Sequence, residues 1–475
     1  MPVRREFVCN VWRRYDSVAF KLLYTPKKGV AMGVSALRGA VVSFHQDPFV
    51  VDPADSYTYI EDALVVLEAG KIVSVAPYAD ASARGLQVTH YPDAIISAGF
   101  IDCHVHYPQT QMIGAFGEQL LEWLTKYTFV AEQQFADKAH ADEVAGVFLK
   151  ELLRAGTTTA AVYCTVHPQS VDAFFEESER FNTRMIAGKV LMDRNAPDAL
   201  LDTAESGYAE SKVLLDKWHG RGRQLYCVTP RFAASSTEEQ LLAAARLWRE
   251  HPGTYMQTHL SENLGEIDWV RELFPQHQSY LDVYDHAGLT GPRSIFGHAV
   301  HMSEDDFCRC HQTGSALAHC PTSNMFLGSG LFRMFDAKRV DRPVRVGLGT
   351  DIGAGTSFSQ LQSLGGAYKV SQLNQSKLTA AHAFYLATRG GAEALYLQDS
   401  LGSVAAGYDA DLIVLDLAAT PLLKFRMGHA TDLLEKLFVL MTLGDDRAIR
   451  ATYVAGEPVY DRNRAEPFAY AQVAS

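Results

Sequence analysis

The chain has 475 residues, too long for one small core and long enough for a large α/β barrel or two to three ordinary domains. Apolar residues make up 47% and charged residues 21%, which fits a soluble globular protein and excludes a disordered one. The net charge of −12, from 43 basic and 55 acidic residues, argues against non-specific nucleic-acid binding by the whole surface.

The first 31 residues carry seven basic and two acidic side chains, and Lys21 interrupts their short apolar stretch. That is a poor secretory signal, and Glu6 and Asp16 speak against an organellar transit segment. Met32-Gly33 offers an alternative start, so residues 1–36 read as an extension outside the fold. The seven cysteines stand singly apart from Cys308 and Cys310, and no C-x-x-C occurs. A disulfide framework and a cysteine zinc site are disfavoured, and a reducing cytoplasm fits best. No run of 18 apolar residues is present, so no membrane helix is expected.

Residues 37–95 show short alternating strands. In ALVVLEAGKIVSVAP, Ala69-Gly70 makes a hairpin turn between two apolar runs. Residues 401–475 repeat the pattern in GYDADLIVLDL and IRATYVAGEPVYD, with a turn at Ala455-Gly456. Two β-rich segments at opposite ends suggest one small composite β-sandwich domain. Between them, over 96–400, apolar strands alternate with helical stretches of a dozen residues or more, the mark of parallel βα units. The strand candidates are 94–104, 157–163, 184–192, 224–230, 254–260, 293–299, 315–321 and 344–351. Eight units in about 300 residues match a (β/α)8 barrel. An open doubly wound sheet is the alternative, but GLGTDIG lacks the G-x-G-x-x-G spacing and no P-loop occurs.

In such barrels the chemistry sits at the C-terminal ends of the strands. Those ends supply His104 and His106 in GFIDCHVHYPQ, then Arg231 and Phe232, then His259 with Glu262 three residues on, then His298, and last Asp351. Alternate residues of a strand share a face, so His104 and His106 project together. One buried histidine is more often a satisfied core residue; four histidines and an aspartate at one end of one barrel are hard to obtain by chance. Three imidazoles and a carboxylate suit one zinc ion, with iron or manganese ranked behind it. An ion that also holds water lowers the water's pKa toward ~7. Asp351 can take the proton from that water, and Glu262 in HLSE can pass protons to a ring nitrogen of the substrate. The plainer reading of Glu262 is a surface carboxylate in the next turn. In LLEWLTKYTF, Leu120, Leu124 and Tyr127 are spaced for the face of a core helix. We read the segment as a helical cover beside the first barrel strand, with Trp123 and Phe129 closing the pocket.

The H-x-H after strand one, the histidines after strands five and six and the aspartate after strand eight resemble the amidohydrolase superfamily. GFIDCHVHYPQ, LLEWLTKYTFVAEQQF, TPRFA, THLSEN, HCPTSN and GTDIGAGTSF together are similar to its guanine deaminase family. The resemblance implies a distorted barrel with a β-sandwich built from both termini. It implies zinc held by His104, His106, His259 and Asp351, with His298 in the metal shell and counted by some descriptions as a ligand. Gln109 and Arg231 would hydrogen-bond a purine, and Phe232 would form part of the ring's wall. The implied reaction is hydrolytic deamination of guanine to xanthine and ammonia by attack at C2. The implied partner is a small purine and, as in many family members, a second copy of the chain; no nucleic acid or membrane is implied. Arginine is a natural partner for the O6 and N7 acceptors of guanine, whereas the bland reading of Arg231 is an ion pair at the barrel rim. The H-x-E and P-C-x-x-C motifs of another zinc deaminase type are absent. The alternatives are a related aminohydrolase acting on another oxopurine, a triazine or a cytosine-like ring, and a metal-free scaffold that has lost catalysis.

Overall fold

The computed structural model describes residues 34–464. Residues 1–33 and 465–475, including most of the expected extension and the end of the last segment, lie outside the described residues.

Four strands come from the N-terminal side: β1 (Ser35–Phe44), β2 (Tyr57–Glu68), β3 (Lys71–Pro77) and β4 (Gln87–Ala98). Nine follow in the central region: β5 (Phe100–His106), β6 (Thr157–Tyr163), β7 (Arg184–Gly188), β8 (Val190–Leu191), β9 (Leu225–Pro230), β10 (Tyr255–Leu260), β11 (Ser294–His298), β12 (Ala316–His319) and β13 (Arg345–Leu348). Three more close the chain: β14 (Leu412–Asp416), β15 (Ile449–Val454) and β16 (Glu457–Asp461).

The two terminal segments meet in one seven-stranded sheet of order β16-β15-β14-β4-β1-β2-β3. The seam is β14 antiparallel to β4, with Leu412 opposite Ala98 and Asp416 opposite Ala94. Both hairpins turn where the sequence places them. Ala69 and Gly70 take φ of 50° and 80°, and Ala455 and Gly456 take 47° and 80°, left-handed pairs that match the twist of the flanking strands. Alternate residues Leu37 and Val41, Val65 and Leu67, and Leu412 and Val414 fill a core that the sheet makes with itself. The C-terminal part is not purely β: helices Pro421–Met427 and Leu433–Leu443 stand between β14 and β15.

The central strands form a nearly closed parallel barrel, β5-β6-β7-β9-β10-β11-β12-β13, with β8 paired to β9. Every residue of β5 and of β6 is buried, as expected for strands covered on both faces. Closure is made at the C-terminal end. Asp351 N–H donates to His104 O at 2.9 Å, and His106 N–H donates to Ile352 O at 3.1 Å.

Two strand assignments need correction. The expected strand 94–104 is two strands in two layers, so the chain enters the barrel at Gly99 and not at residue 96. A Cβ at Gly99 would lie 2.2 Å from Thr158 Oγ1, and Gly99 N–H donates to Asp411 O while Phe100 N–H donates to Gly156 O. A continuous apolar run hides this step, because both strands are buried. The expected strand 184–192 breaks at Gly188–Lys189, where a Cβ on Gly188 would strike Cys227 O at 1.7 Å. The N-terminal boundary also moves: β1 begins at Ser35, inside the stretch read as extension.

Candidate active site

The ends of β5, β10 and β11 and the turn after β13 converge. Asp351 Oδ1 lies 3.4 Å from both His104 Nε2 and His106 Nε2. His106 Nε2 faces His259 Nε2 at 3.1 Å, and His298 Nε2 stands 3.8 Å from Asp351 Oδ2. All are buried except His259, which is half-buried. Burial lowers the pKa of His104, and burial with neighbouring imidazoles holds His106 and His259 well below the usual histidine range. They are therefore neutral at pH 7. Burial alone would raise the Asp351 carboxyl, but the close approach of His104 and the charge of His298 outweigh it and hold the group at about 2.

These donors fit a divalent cation. His259 Nδ1 faces Arg231 O at 2.7 Å and must donate to it, which leaves Nε2 a bare lone pair facing His106. His104 Nε2 is buried with no hydrogen-bond partner. Neutral imidazoles and one ionised carboxylate converging this closely are the deprotonated set a metal needs. His104, His298 and Cys320 form a second close group among the described residues. Burial pushes the Cys320 thiol well above its usual range and it donates to Ala318 O, so that group suits a metal less well.

The surroundings fix the rings. Asp102, inside β5, accepts from His104 N–H and Thr350 N–H at 3.1 Å each and from the Thr350 hydroxyl, tying the ends of β5 and β13 together. His298 Nδ1 is 2.8 Å from Asn324 Oδ1. Tyr163 lies on His106 with centroids 4.4 Å apart. Ser261, His298 and Asp351 turn through left-handed backbone, φ 48°, 67° and 52°, a conformation that costs about 1–3 kcal/mol each and gathers at functional sites. Gly297 makes room for His104: a Cβ there would lie 2.4 Å from its Cε1 and 2.6 Å from Nδ1. Gly297→Ala is expected to push the ring aside and weaken metal affinity ~10–100-fold, the scale seen when a ligand loses its support. Metal titration of the folded variant checks this; unchanged affinity would refute the packing argument.

A cavity opens beside these groups, lined among others by Gln109, Trp123, Arg231, Phe232, Glu262 and Asp351. Arg231, which lines it, donates from Nη1 to Glu132 Oε1 and Oε2 at 2.9 and 2.7 Å, both side chains buried. Gln109 is also held: its Oε1 accepts Gly353 N–H at 3.2 Å, and its Nε2 lies 3.5 Å from Glu132 Oε1. Glu262 is buried beside the metal-type donors, with Oε2 3.5 Å from His298 Nε2 and Oε1 accepting from Ser329 Oγ at 3.2 Å. Burial pushes its carboxyl up to about 7, against the pull of His298. Glu262 N–H donates to Glu266 Oε2 at 2.9 Å, and Tyr280 O–H to Glu266 Oε1 at 2.7 Å.

Of the residues assigned from the sequence, all but His104 and Phe129 line this one cavity, and His104 adjoins it through Asp351 and His106. Two assignments change. Arg231 is both cavity wall and ion pair, and Phe129 does not line the cavity but lies under the Arg231 guanidinium at 5.7 Å. Three carboxylates at the site are without an assignment from sequence. Glu132 sits within the quoted LLEWLTKYTFVAEQQF, 99 residues from its partner, with no local signal. Asp102 is a carboxylate inside a buried apolar strand, and Asn263-x-x-Glu266 has the spacing of a helix capping box; both were detectable.

A match to the amidohydrolase family spans residues 95–459. Guanine deaminase of Escherichia coli K12 is 51% identical over 413 residues, 86% of this chain and 94% of that protein. A solved structure of E. coli guanine deaminase superposes with a TM-score of 0.88, covering 90% of this chain and 100% of that one at 50% identity. A guanine deaminase from C. acetobutylicum, solved with guanine bound in its active site, gives 0.81 at 29% identity over 90% of this chain and all of that one. The chain belongs to the amidohydrolase family.

Proposed function

We propose that the protein is a guanine aminohydrolase, converting guanine and water to xanthine and ammonia. The observation that carries this reading is one cavity lined both by the neutral imidazoles of His106 and His259 with the ionised Asp351, and by Gln109 and Arg231, the latter held by Glu132. Its relatives of this name, one of them solved with guanine bound, support the same substrate.

We assign His104, His106, His259 and Asp351 to one divalent ion, best zinc, with His298 beside it. When bound, the ion supplies a water acidified toward pKa ~7. Asp351 takes a proton from the attacking water at Oδ2, the oxygen that faces His298. Glu262, near half-protonated at neutral pH, carries a proton to the ring and on to the leaving amino group. Arg231 and Gln109 hold the oxo edge, while Phe232 and Trp123 enclose the ring. Six unpaired cysteines among the described residues support a reducing, cytoplasmic setting, and a homodimer rests on the family resemblance.

A panel of guanine, 8-oxoguanine, adenine, cytosine and melamine, followed by ammonia release, tests the reading. Adenine has no amino group at C2 to displace, and its 6-amino group leaves Arg231 without an acceptor, so it is expected at least ~10³–10⁵-fold below guanine in kcat/KM. Faster turnover of another ring would overturn the assignment.

A further inference from the structure

Thr128 carries a hydroxyl that the reaction just described does not use. It ends a single π-type turn, Leu124–Thr128, in the helical segment 120–136; it is fully buried and lines the active cavity. Its Oγ1 has no hydrogen-bond partner. Helical threonines commonly return the hydroxyl to a carbonyl one turn back, and Thr125 does so, to Leu121 O and Glu122 O. A buried hydroxyl left unpaired is costly, so a cavity wall that keeps one is built to meet a bound molecule.

The neighbours say which part of that molecule. Glu132, four residues on from Thr128, clamps Arg231, and the adjacent Phe129 lies under the Arg231 guanidinium. Thr128 and Arg231 therefore belong to one wall. Gln109, which also touches Glu132, accepts from Gly353 and donates one of its two amide hydrogens to Glu132, leaving the other for the oxo oxygen beside Arg231. An oxopurine presents two adjacent acceptors on one edge, the oxo oxygen and the imidazole nitrogen N7. We propose that Thr128 is a specificity-determining residue whose hydroxyl donates to N7 of the substrate while Arg231 takes the oxo oxygen. This assignment rests on the guanine reading above and adds to it a reason for selecting a fused imidazole ring over a lone pyrimidine.

The test compares guanine with 7-deazaguanine, which replaces N7 by C–H, in the wild type, Thr128→Val and Thr128→Ser, with metal content and melting temperature on the same preparations. The wild type is expected to favour guanine by ~10-fold in kcat/KM, the scale of one hydrogen bond. Thr128→Val should lose ~10-fold on guanine and less than about twofold on 7-deazaguanine, with metal retained, and Thr128→Ser should restore the preference. Equal losses on both substrates, or none, overturn the proposal. So does a wild-type ratio near one, which needs no variant and stands even where Thr128→Val does not fold. Absence of guanine turnover in the wild type would instead overturn the function on which the proposal rests.

Discussion

His104→Ala is expected to lose both the metal and turnover. The ring is buried, its Nε2 lies 3.4 Å from Asp351 Oδ1, and its centroid stands 5.1, 4.8 and 4.9 Å from those of His106, His259 and His298. It is the shared neighbour of the whole cluster. Without it a cation keeps two imidazoles and a carboxylate, and the methyl group leaves a cavity where the fourth donor stood. The wild type as isolated should carry close to one zinc per chain, the variant far less. Turnover should drop at least ~10³-fold, as expected when the group that generates the nucleophile is removed. A second readout separates this from simple damage. A ligand that binds only the folded chain raises its melting temperature by mass action. A chelator should therefore lower the melting temperature of the wild type and leave that of His104→Ala almost unmoved. A fully active preparation without a bound transition metal would defeat the assignment.

The barrel could be read because its strands are nearly unbroken apolar runs ending in polar residues, and that punctuation survives without knowledge of the fold. Six of the eight predicted strands fall within two or three residues of an observed one. The failure at 94–104 has a physical cause: where one buried strand hands over to another, hydrophobicity does not change, and only Gly99 marks the step. The metal-type donors were legible for the same reason as the strands. Each sits at or just beyond a strand end, so chain position alone assigns it to one rim. Glu132, Ser329 and Asn324 were not legible in this way. They reach the site from helices and loops, and their partners Arg231, Glu262 and His298 lie 99, 67 and 26 residues away. Sequence spacing reports a face of a helix or strand; it does not report which two loops a closed barrel brings together.

Glu262→Gln separates proton transfer from metal binding. Glutamine keeps the size of the side chain and can still accept from Ser329 Oγ, which now holds Oε1 at 3.2 Å. The backbone anchor, Glu262 N–H to Glu266, is untouched. What disappears is the ionisable proton. Burial raises that carboxyl from 4.5 to about 7, so in the wild type it is mostly protonated below pH 7 and mostly ionised above it. Both forms are populated at neutral pH, which suits a group that must donate and then recover a proton. In the variant kcat should fall roughly 10²–10⁴-fold, the usual range for a lost general acid–base. Zinc should stay, because Glu262 lies outside the group of ligands. Xanthine binding should weaken far less than turnover, since the missing interaction is made mainly in the transition state. The limb of the kcat profile near pH 7 should flatten as well. Asp351→Asn gives the contrast: a carboxylate that faces His104 and His106 directly is expected to release the metal when it is neutralised. Near wild-type turnover by Glu262→Gln with zinc in place would remove Glu262 from the proton path. HLSE would then be only the turn that carries His259 into the helix beginning at Leu264, and the proton from the attacking water would have to reach the leaving group through Asp351 alone.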